Sequence, residues 1–175
     1  MRRLVAILFA CSAAVALPAT ASAATSCPGA GRSPAQLGPG AARAATLCLL
    51  NRERAAHGLR ALRFDGRLTR AAQGHSNDMV AHRYFAHESR SGSPFSARIK
   101  HTGWTRHRRS WTVGENIAWG TRGRATPRSI VASWMHSAGH RANILNGRFH
   151  VIGIGIATGT PNGGGGATYS TDFGS

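Results

Sequence analysis

The sequence predicts an α+β domain, with helices through most of the chain and a β-hairpin at its end. Apolar side chains recur at three- and four-residue steps from Ala41 to Asn51, which indicates an amphipathic helix. Residues 150–158 (HVIGIGIAT) and 167–173 (ATYSTDF) have the composition of two strands, joined by a Pro-Asn-Gly-rich turn at 159–166. Helices followed by a hairpin indicate a layered α+β architecture.

Capping residues mark the other predicted helices. Asp, Ser and Thr accept hydrogen bonds from the free N–H groups of a first turn, and proline is tolerated there because it lacks an N–H group. Residues 113–119 (VGENIAW) are predicted to form a strand or an extended segment. The predicted helices begin at Asp65, at Ser93-Pro94 and at Thr126-Pro127, and end near His82, His101 and Gly139.

The strand at 150–158 has two different faces. Ile152, Ile154 and Ile156 alternate with small residues, among them Gly153 and Gly155. Isoleucines on one face predict contact with an apolar core, and glycines on the other leave space for a helix or chain segment to approach closely.

Residues 1–23 are expected to be a secretory signal that is cleaved after Ala23. A charged start, Arg2-Arg3, precedes a mostly apolar run and a small-x-small site at residues 21–23. A membrane-spanning helix needs roughly 20 apolar residues, and this run is shorter. A lipoprotein signal that uses Cys11 is the less favoured alternative. The exported chain is therefore predicted to be extracellular and not transmembrane.

The remaining chain is divided into an irregular arm, residues 24–40, and one domain, residues 41–175. Cleavage would leave two cysteines, Cys27 and Cys48. In an exported protein these are predicted to form one disulfide, with two free thiols as the alternative.

Charge in this chain is strongly unbalanced. The sequence has 22 Lys and Arg against 6 Asp and Glu, for a net charge of +16 at pH 7. Such a field favours anionic partners, such as phosphorylated wall polymers or acidic lipids. The arginines are scattered, and the densest group at 106–109 has no accompanying aromatic strand, so no sequence-specific nucleic-acid binding is predicted.

The stretch WMHSAGHRANIL (134–145) concentrates residues capable of chemistry. His136 and His140 have the four-residue spacing of metal ligands on a continuous helix, but no glutamate follows His136, so the His-Glu-x-x-His pattern is absent. Because Gly139 is expected to end the helix, His140 is placed just beyond it and is the better site candidate.

Six motifs together resemble the CAP superfamily, the cysteine-rich secretory, antigen 5 and pathogenesis-related proteins, in a compact bacterial form. The match covers about residues 41–174. In chain order the motifs are HSNDM (75–79), FAH (85–87), GENIAW (114–119), W-x-x-S-x-GHRANIL (134–145), GIGI (153–156) and TYSTDFG (168–174).

This resemblance implies a three-layer α-β-α sandwich with a small antiparallel sheet, and an open cleft lined by two histidines and acidic residues. The histidines correspond to His87 and His140, and the first acid corresponds to Glu115. The second acid of animal and plant members falls at Ser137, whose hydroxyl supplies no negative charge. A cleft formed by His87, Glu115, Ser137 and His140 is therefore expected.

Two classes of function follow. A secreted binding module for a lipid, cell-envelope or protein ligand is preferred, with a divalent metal, zinc above all, held by His87 and His140. The alternative is a metal-dependent hydrolase or peptidase with Glu115 as general base. A serine hydrolase built on Ser137 and His140 is least favoured, since the Gly-x-Ser-x-Gly turn is absent. The protein is expected to be a monomer.

Neighbouring polar residues are assigned structural roles. Asn116 and Asn143 are predicted to bind backbone groups and hold loops. His75 is predicted to face the core and to bind buried backbone, and Arg141 to pair with Asp172 or an exposed carboxylate.

Overall fold

A computed structural model describes residues 26–175. The expected signal, its cleavage after Ala23 and the alternative at Cys11 lie outside these residues. No helix in the described part of the chain is both long and apolar enough to cross a membrane. The helices are α1 (Pro34–Leu37), α2 (Pro39–Ala56), α3 (Gly66–Ala81), α4 (Phe95–His101), α5 (Pro127–Met135) and α6 (Ala138–Ile144), and the strands are β1 (Arg63–Phe64), β2 (Val113–Gly120), β3 (Val151–Thr158) and β4 (Ala167–Gly174).

The four strands form one sheet in the order β1-β3-β4-β2, with helices on both faces. Helices α3 and α4 cover one face, and α2 and α5 pack with the isoleucines of the other. Strands β2, β4 and β3 are antiparallel, as predicted, whereas the two-residue β1, which the sequence does not predict, pairs with β3 in parallel. The predicted three-layer α-β-α sandwich is confirmed.

The two faces of β3 have the predicted roles. A Cβ atom on Gly153 would lie 2.0 Å from the backbone of Leu68, and one on Gly155 would lie 2.2 Å from the backbone of Ala72. Helix α3 therefore packs directly on the backbone of β3 at these positions. On the opposite face, Ile152 and the two following isoleucines of the strand join the larger hydrophobic core.

The N-terminal segment is attached to this larger core. Cys27 and Cys48 form the predicted disulfide, with an S–S distance of 2.00 Å, and connect the segment before α1 to α2. The segment expected to be irregular contains α1, and α2 begins at Pro39 rather than at Ala41. Proline at the start of each helix costs no backbone hydrogen bond, which permits these early starts.

The prediction that Gly139 stops a helix is wrong. Helix α5 ends at Met135, and Ser137 has the extended backbone (φ −104°, ψ 121°) of an N-cap residue. The Arg141 N–H group donates to the Ser137 carbonyl at 2.8 Å, which closes the first turn of α6. Gly139 lies within that turn. Glycine is tolerated there because it destabilises a helix by only about 1 kcal/mol relative to alanine, which is too little to end the helix. His140 is therefore a residue of α6 and does not follow a helix end.

Arg54, near the C-terminal end of α2, is completely buried, although no carboxylate pairs with it among the described residues. Burial lowers its pKa. Its guanidinium group donates to four backbone carbonyls at 2.7–3.0 Å, and three of these bonds join α2 to the end of α6 and the chain that leads to β3. The acceptors belong to Arg60, Ile144, Asn146 and Phe149.

Replacing Arg54 is expected to destabilise the fold strongly. An Arg54→Ala change leaves buried carbonyls without a donor, and hydrogen bonds from a charged group contribute about 1.5–3 kcal/mol each, so we expect a loss of at least about 3 kcal/mol in unfolding free energy. Urea denaturation measures this value. The matched control is Arg52→Ala, an exposed arginine on the same helix, which should change stability by less than about 0.5 kcal/mol. Similar losses in both variants would contradict the role assigned to Arg54.

Candidate functional site

Side chains from α5 and α6 cover the outer edge of β2. The Trp134 indole N–H donates to the Ile117 carbonyl at 3.1 Å, and the Asn143 side chain donates to the Glu115 carbonyl at 3.1 Å. Because β2 lies at the end of the sheet, no further strand is available to these carbonyls. Side-chain donors therefore replace a strand partner, and they fix α5 and α6 against β2.

Two asparagines complete this connection. The Asn116 side chain donates to the His140 carbonyl at 3.0 Å, and its own oxygen accepts from Asn143 at 2.8 Å. The predicted backbone-binding roles of both asparagines are confirmed. This bonding explains much of the stretch 134–145, since it sets the position of His140 relative to Glu115.

Glu115 lies beneath the surface on β2, and its side chain is completely buried. Its carboxylate accepts a hydrogen bond from His87 Nδ1 at 2.8 Å and forms an ion pair with Arg98 Nη2 at 2.5 Å. Arg98 comes from α4 and also donates to the His87 carbonyl and the Ser89 hydroxyl. The sequence does not predict Arg98 as a site residue, because nothing local distinguishes it from the many surface arginines.

The two histidines occupy different environments. His87 has 46% of its side-chain surface exposed, and the hydrogen bond to Glu115 raises its pKa. Partial burial lowers the pKa of His140, and the charge of His87 lowers it further. The structure thus brings His87 and Glu115 into direct contact, whereas His140 is linked to them through its backbone carbonyl, which accepts from Asn116.

A second acid, Asp172, lies next to Glu115, and the sequence does not predict it as a site residue. Asp172 is directly opposite Glu115 in the β2–β4 pair and is 1% exposed. Burial raises its pKa well above the usual range, and the neighbouring Glu115 carboxylate raises it further. Neither oxygen of Asp172 has a donor among residues 26–175. A protonated Asp172 can itself donate a hydrogen bond to Glu115.

The predicted pairing of Arg141 with Asp172 is wrong. Arg141 is exposed on α6 and approaches His57 Nε2 at 3.4 Å, whereas Asp172 is enclosed in the sheet. The strand-like sequence around Asp172 indicates that it lies on β4. Only the register of β4 against β2 shows that it is beside Glu115.

The other predicted polar residues lie in distinct places. Ser137 is the N-cap residue of α6, and its side chain makes no capping hydrogen bond. His75 is completely buried on α3, and its Nε2 lies 2.9 Å from the Ala86 carbonyl, which confirms its predicted backbone contact. Of the predicted cleft residues, His87 and Glu115 form a hydrogen bond, whereas no side-chain hydrogen bond joins His140 or Ser137 to them within residues 26–175.

The residues present fit a metal ion poorly. Within residues 26–175, no three His, Cys, Asp or Glu side chains are grouped so that they could hold a metal. Glu115, the acid nearest the histidines in the predicted set, is already neutralised by Arg98. A tetrahedral zinc site usually takes three or four protein ligands, and the predicted set supplies at most two free imidazoles.

Two curated relatives with similar sequences are bacterial. The chain is 44% identical over 108 residues to the uncharacterized protein YkwD of Bacillus subtilis, across 61% of this chain and 39% of YkwD. It is 34% identical over 110 residues to the uncharacterized membrane protein YlbC of the same organism, across 63% of this chain and 30% of YlbC. The chain thus spans less than half the length of the curated relatives that it matches.

Solved structures show the same fold. An extracellular protein of Bacillus anthracis that contains an SCP domain superposes with a TM-score of 0.61 at 26% identity, across 77% of this chain and 43% of that one. An outer surface protein of Borrelia burgdorferi superposes with a TM-score of 0.57 at 21% identity, across 71% of this chain and 85% of that one.

The family assignment rests on a match along most of the domain. Residues 47–171 match the sequence pattern of the CAP family, described as the cysteine-rich secretory protein family. The matched segment includes Glu115, both site histidines and most of the β2–β4 pair. The protein belongs to the CAP family of cysteine-rich secretory proteins.

Proposed function

We propose that this CAP-family protein is an extracellular binding module that holds an anionic component of the cell envelope. The observation that carries the proposal is the distribution of charge between the interior and the surface. A binding module of this kind needs a cationic exterior more than it needs a reactive centre.

Most of the few acidic side chains are buried or hydrogen-bonded within the fold. With 6 acids against 22 Lys and Arg in the sequence, each acid that is buried or paired leaves the surface more cationic. In the described chain, only the carboxylates of Glu53 and Glu88 have no hydrogen-bonding or buried role. The other four are Asp65, which caps α3; Asp78, which binds Tyr84 and His82; Glu115, which binds His87 and Arg98; and buried Asp172.

The candidate site supports binding over turnover. Glu115, the predicted general base, is held by Arg98 and His87 and is fully buried. A general base must come within hydrogen-bond reach of the proton that it abstracts, and a carboxylate enclosed in this way is poorly placed to do so.

Two further observations support an extracellular location. The described chain contains a disulfide, Cys27–Cys48, and such bonds persist in oxidising compartments. The similar Bacillus anthracis protein is described as extracellular. The expected signal at residues 1–23 would direct export.

Salt should release the protein from intact cells. Because the proposed attraction is between exposed charges, about 1 M NaCl, which reduces the screening length to about 3 Å, is expected to move most of the protein into the wash. Immunoblotting of wash and pellet measures this release. A wash in sucrose of equal osmolality is the control and should release little. Equal release in sucrose, or retention in salt, would contradict the proposal.

Zinc binding by His87 and His140 stays a prediction from the family resemblance. Since Arg98 neutralises Glu115, we expect the parent to bind zinc weakly, and His87→Ala or His140→Ala to abolish that binding. Isothermal titration of purified protein measures the affinity. The matched control is His136→Ala, an exposed histidine that does not contact the site. A double His87→Ala/His140→Ala variant that binds zinc like the parent would rule out the shared site.

A hydrolase is the second candidate, and one observation favours it. Glu115 holds His87 through Nδ1, which leaves Nε2 of a half-exposed imidazole available as a base. Turnover of a peptide or ester substrate that is lost in His87→Gln would favour this candidate over the binding module.

The His87–Glu115 contact should make stability depend on pH in a defined direction. Because the folded-state pKa of His87 is raised, its stabilisation is present below the unfolded-state pKa and is lost as pH rises through the folded-state value. The imidazole is half exposed, so screening limits the effect to about 0.5 kcal/mol. Urea unfolding of the parent and His87→Gln should differ more at about pH 5.5 than at about pH 8.5, on either side of the ordinary histidine pKa. His136→Gln is the control, and an equal difference at both pH values would contradict the contact.

A further inference from the structure

A cavity lined in part by Arg98 lies between α3, α4 and the segment 88–94. Its volume is about 430 Å³, and it opens to solvent. Pockets for small ligands usually fall between about 300 and 1,000 Å³. Neither His87 nor His140 lines it, and it shares Arg98 with the candidate site.

Two arginines, Arg70 and Arg98, and several hydroxyl groups line this cavity among apolar surface. Arg70 from α3 and His101 from α4 line it, and neither forms an ion pair with a carboxylate of the described chain. No acidic side chain of the described residues lines the cavity. The hydroxyl groups come from one short segment and from the end of α4: Ser89, Ser91, Ser93 and Thr102.

Two residues that line this cavity each have a buried polar atom without a hydrogen-bond partner within residues 26–175: Nδ1 of His75 and Nε of Arg98. The Ala86 carbonyl can only accept, so Nε2 of His75 carries the hydrogen of the neutral ring. Nδ1 is then an unused acceptor, whereas Nε–H of Arg98 is an unused donor. A complementary ligand therefore offers both an anionic oxygen and a hydroxyl group.

The floor has room for such a ligand. Gly74, in the middle of α3, lines the cavity, and a Cβ atom there would meet nothing within 4 Å. Glycine inside a helix is unfavourable relative to alanine. Here its absent side chain leaves open volume beside Arg70 and Arg98.

We propose that this cavity binds a phosphate ester of a small polyol, such as a glycerol phosphate group. Arg70, His101 and the serine hydroxyls bind the phosphate oxygens together with Nε–H of Arg98, and the buried edge of His75 accepts from a polyol hydroxyl. The inference rests on the proposed function, an envelope-binding module, and gives that function a ligand class and a site. The group belongs to a lipid headgroup or to a soluble or polymeric ester, and the experiment separates these sources.

Titration of the disulfide-bonded protein with sn-glycerol 3-phosphate tests the proposal. We expect Arg70→Gln and Gly74→Leu each to weaken binding at least tenfold, the first by removing a charge and the second by filling the cavity. The matched controls are Arg60→Gln and Gly66→Leu, which change an exposed arginine and an exposed α3 glycine outside the cavity. Both controls should stay within threefold of the parent. Thermal unfolding shows whether Gly74→Leu is folded, which the open space around Gly74 favours.

Three results would overturn the proposal: no binding of sn-glycerol 3-phosphate by the parent, unchanged binding by folded Gly74→Leu, or equal losses in Arg70→Gln and Arg60→Gln. Vesicles of phosphatidylcholine with and without phosphatidylglycerol form a second arm. Vesicle binding that free sn-glycerol 3-phosphate displaces identifies a lipid headgroup, and ester binding without vesicle binding identifies a non-lipid source.

The same arm separates this inference from the proposed function. If vesicles bind but Arg60→Gln and Arg70→Gln lose affinity equally, charge alone attracts the protein to the envelope and the cavity plays no part. If neither probe binds at low salt and salt releases nothing from cells, the proposed function fails as well.

Discussion

Hydrogen bonds between β2 and helices α5 and α6 hold the candidate site together. The edge carbonyls of β2 accept hydrogen bonds from the side chains of Trp134 and Asn143 in place of a neighbouring strand. The Asn116 side chain donates to the His140 carbonyl. An uncovered edge would expose unpaired backbone groups and invite association with other chains. The same side chains that close the edge therefore hold the backbone of α6 at His140 against β2.

In the interior of the site, the buried carboxylate of Glu115 is neutralised and hydrogen-bonded by neighbouring side chains. Glu115 would be costly to bury alone, and Arg98 and His87 supply the opposing charge and the hydrogen bonds. Asp172 lies beside it without a donor of its own in the described chain, and keeping a proton removes the cost of a second buried charge. Arg98 thus joins two regions, because it neutralises Glu115 and also lines the cavity.

Arginine side chains inside this small domain serve two different purposes. Within residues 26–175, Arg54 bonds only to backbone carbonyls and joins α2 to the turn before β3, so its role is to hold the fold. Arg98 has a carboxylate partner, Glu115, and also lines the cavity between α3 and α4. The remaining arginines of the described chain are largely exposed. Because most of the acidic side chains are buried or hydrogen-bonded, these arginines make the surface strongly cationic.

Local signals in the sequence predict most of the helices and strands, because caps and apolar periodicity act within each element. The glycine–isoleucine alternation of β3 also predicts the layering, since α3 packs on the glycine face of that strand. Local signals were also sufficient for the family and the Cys27–Cys48 bond. The helix break at Ser137 was misplaced, because Gly139 is tolerated in a first turn. Two other neighbours of Glu115 are seen only in the tertiary structure: Arg98, which comes from α4, and Asp172, which the β2–β4 register places opposite it. Contacts between distant segments depend on strand register and helix packing, and these leave no local trace in a single sequence.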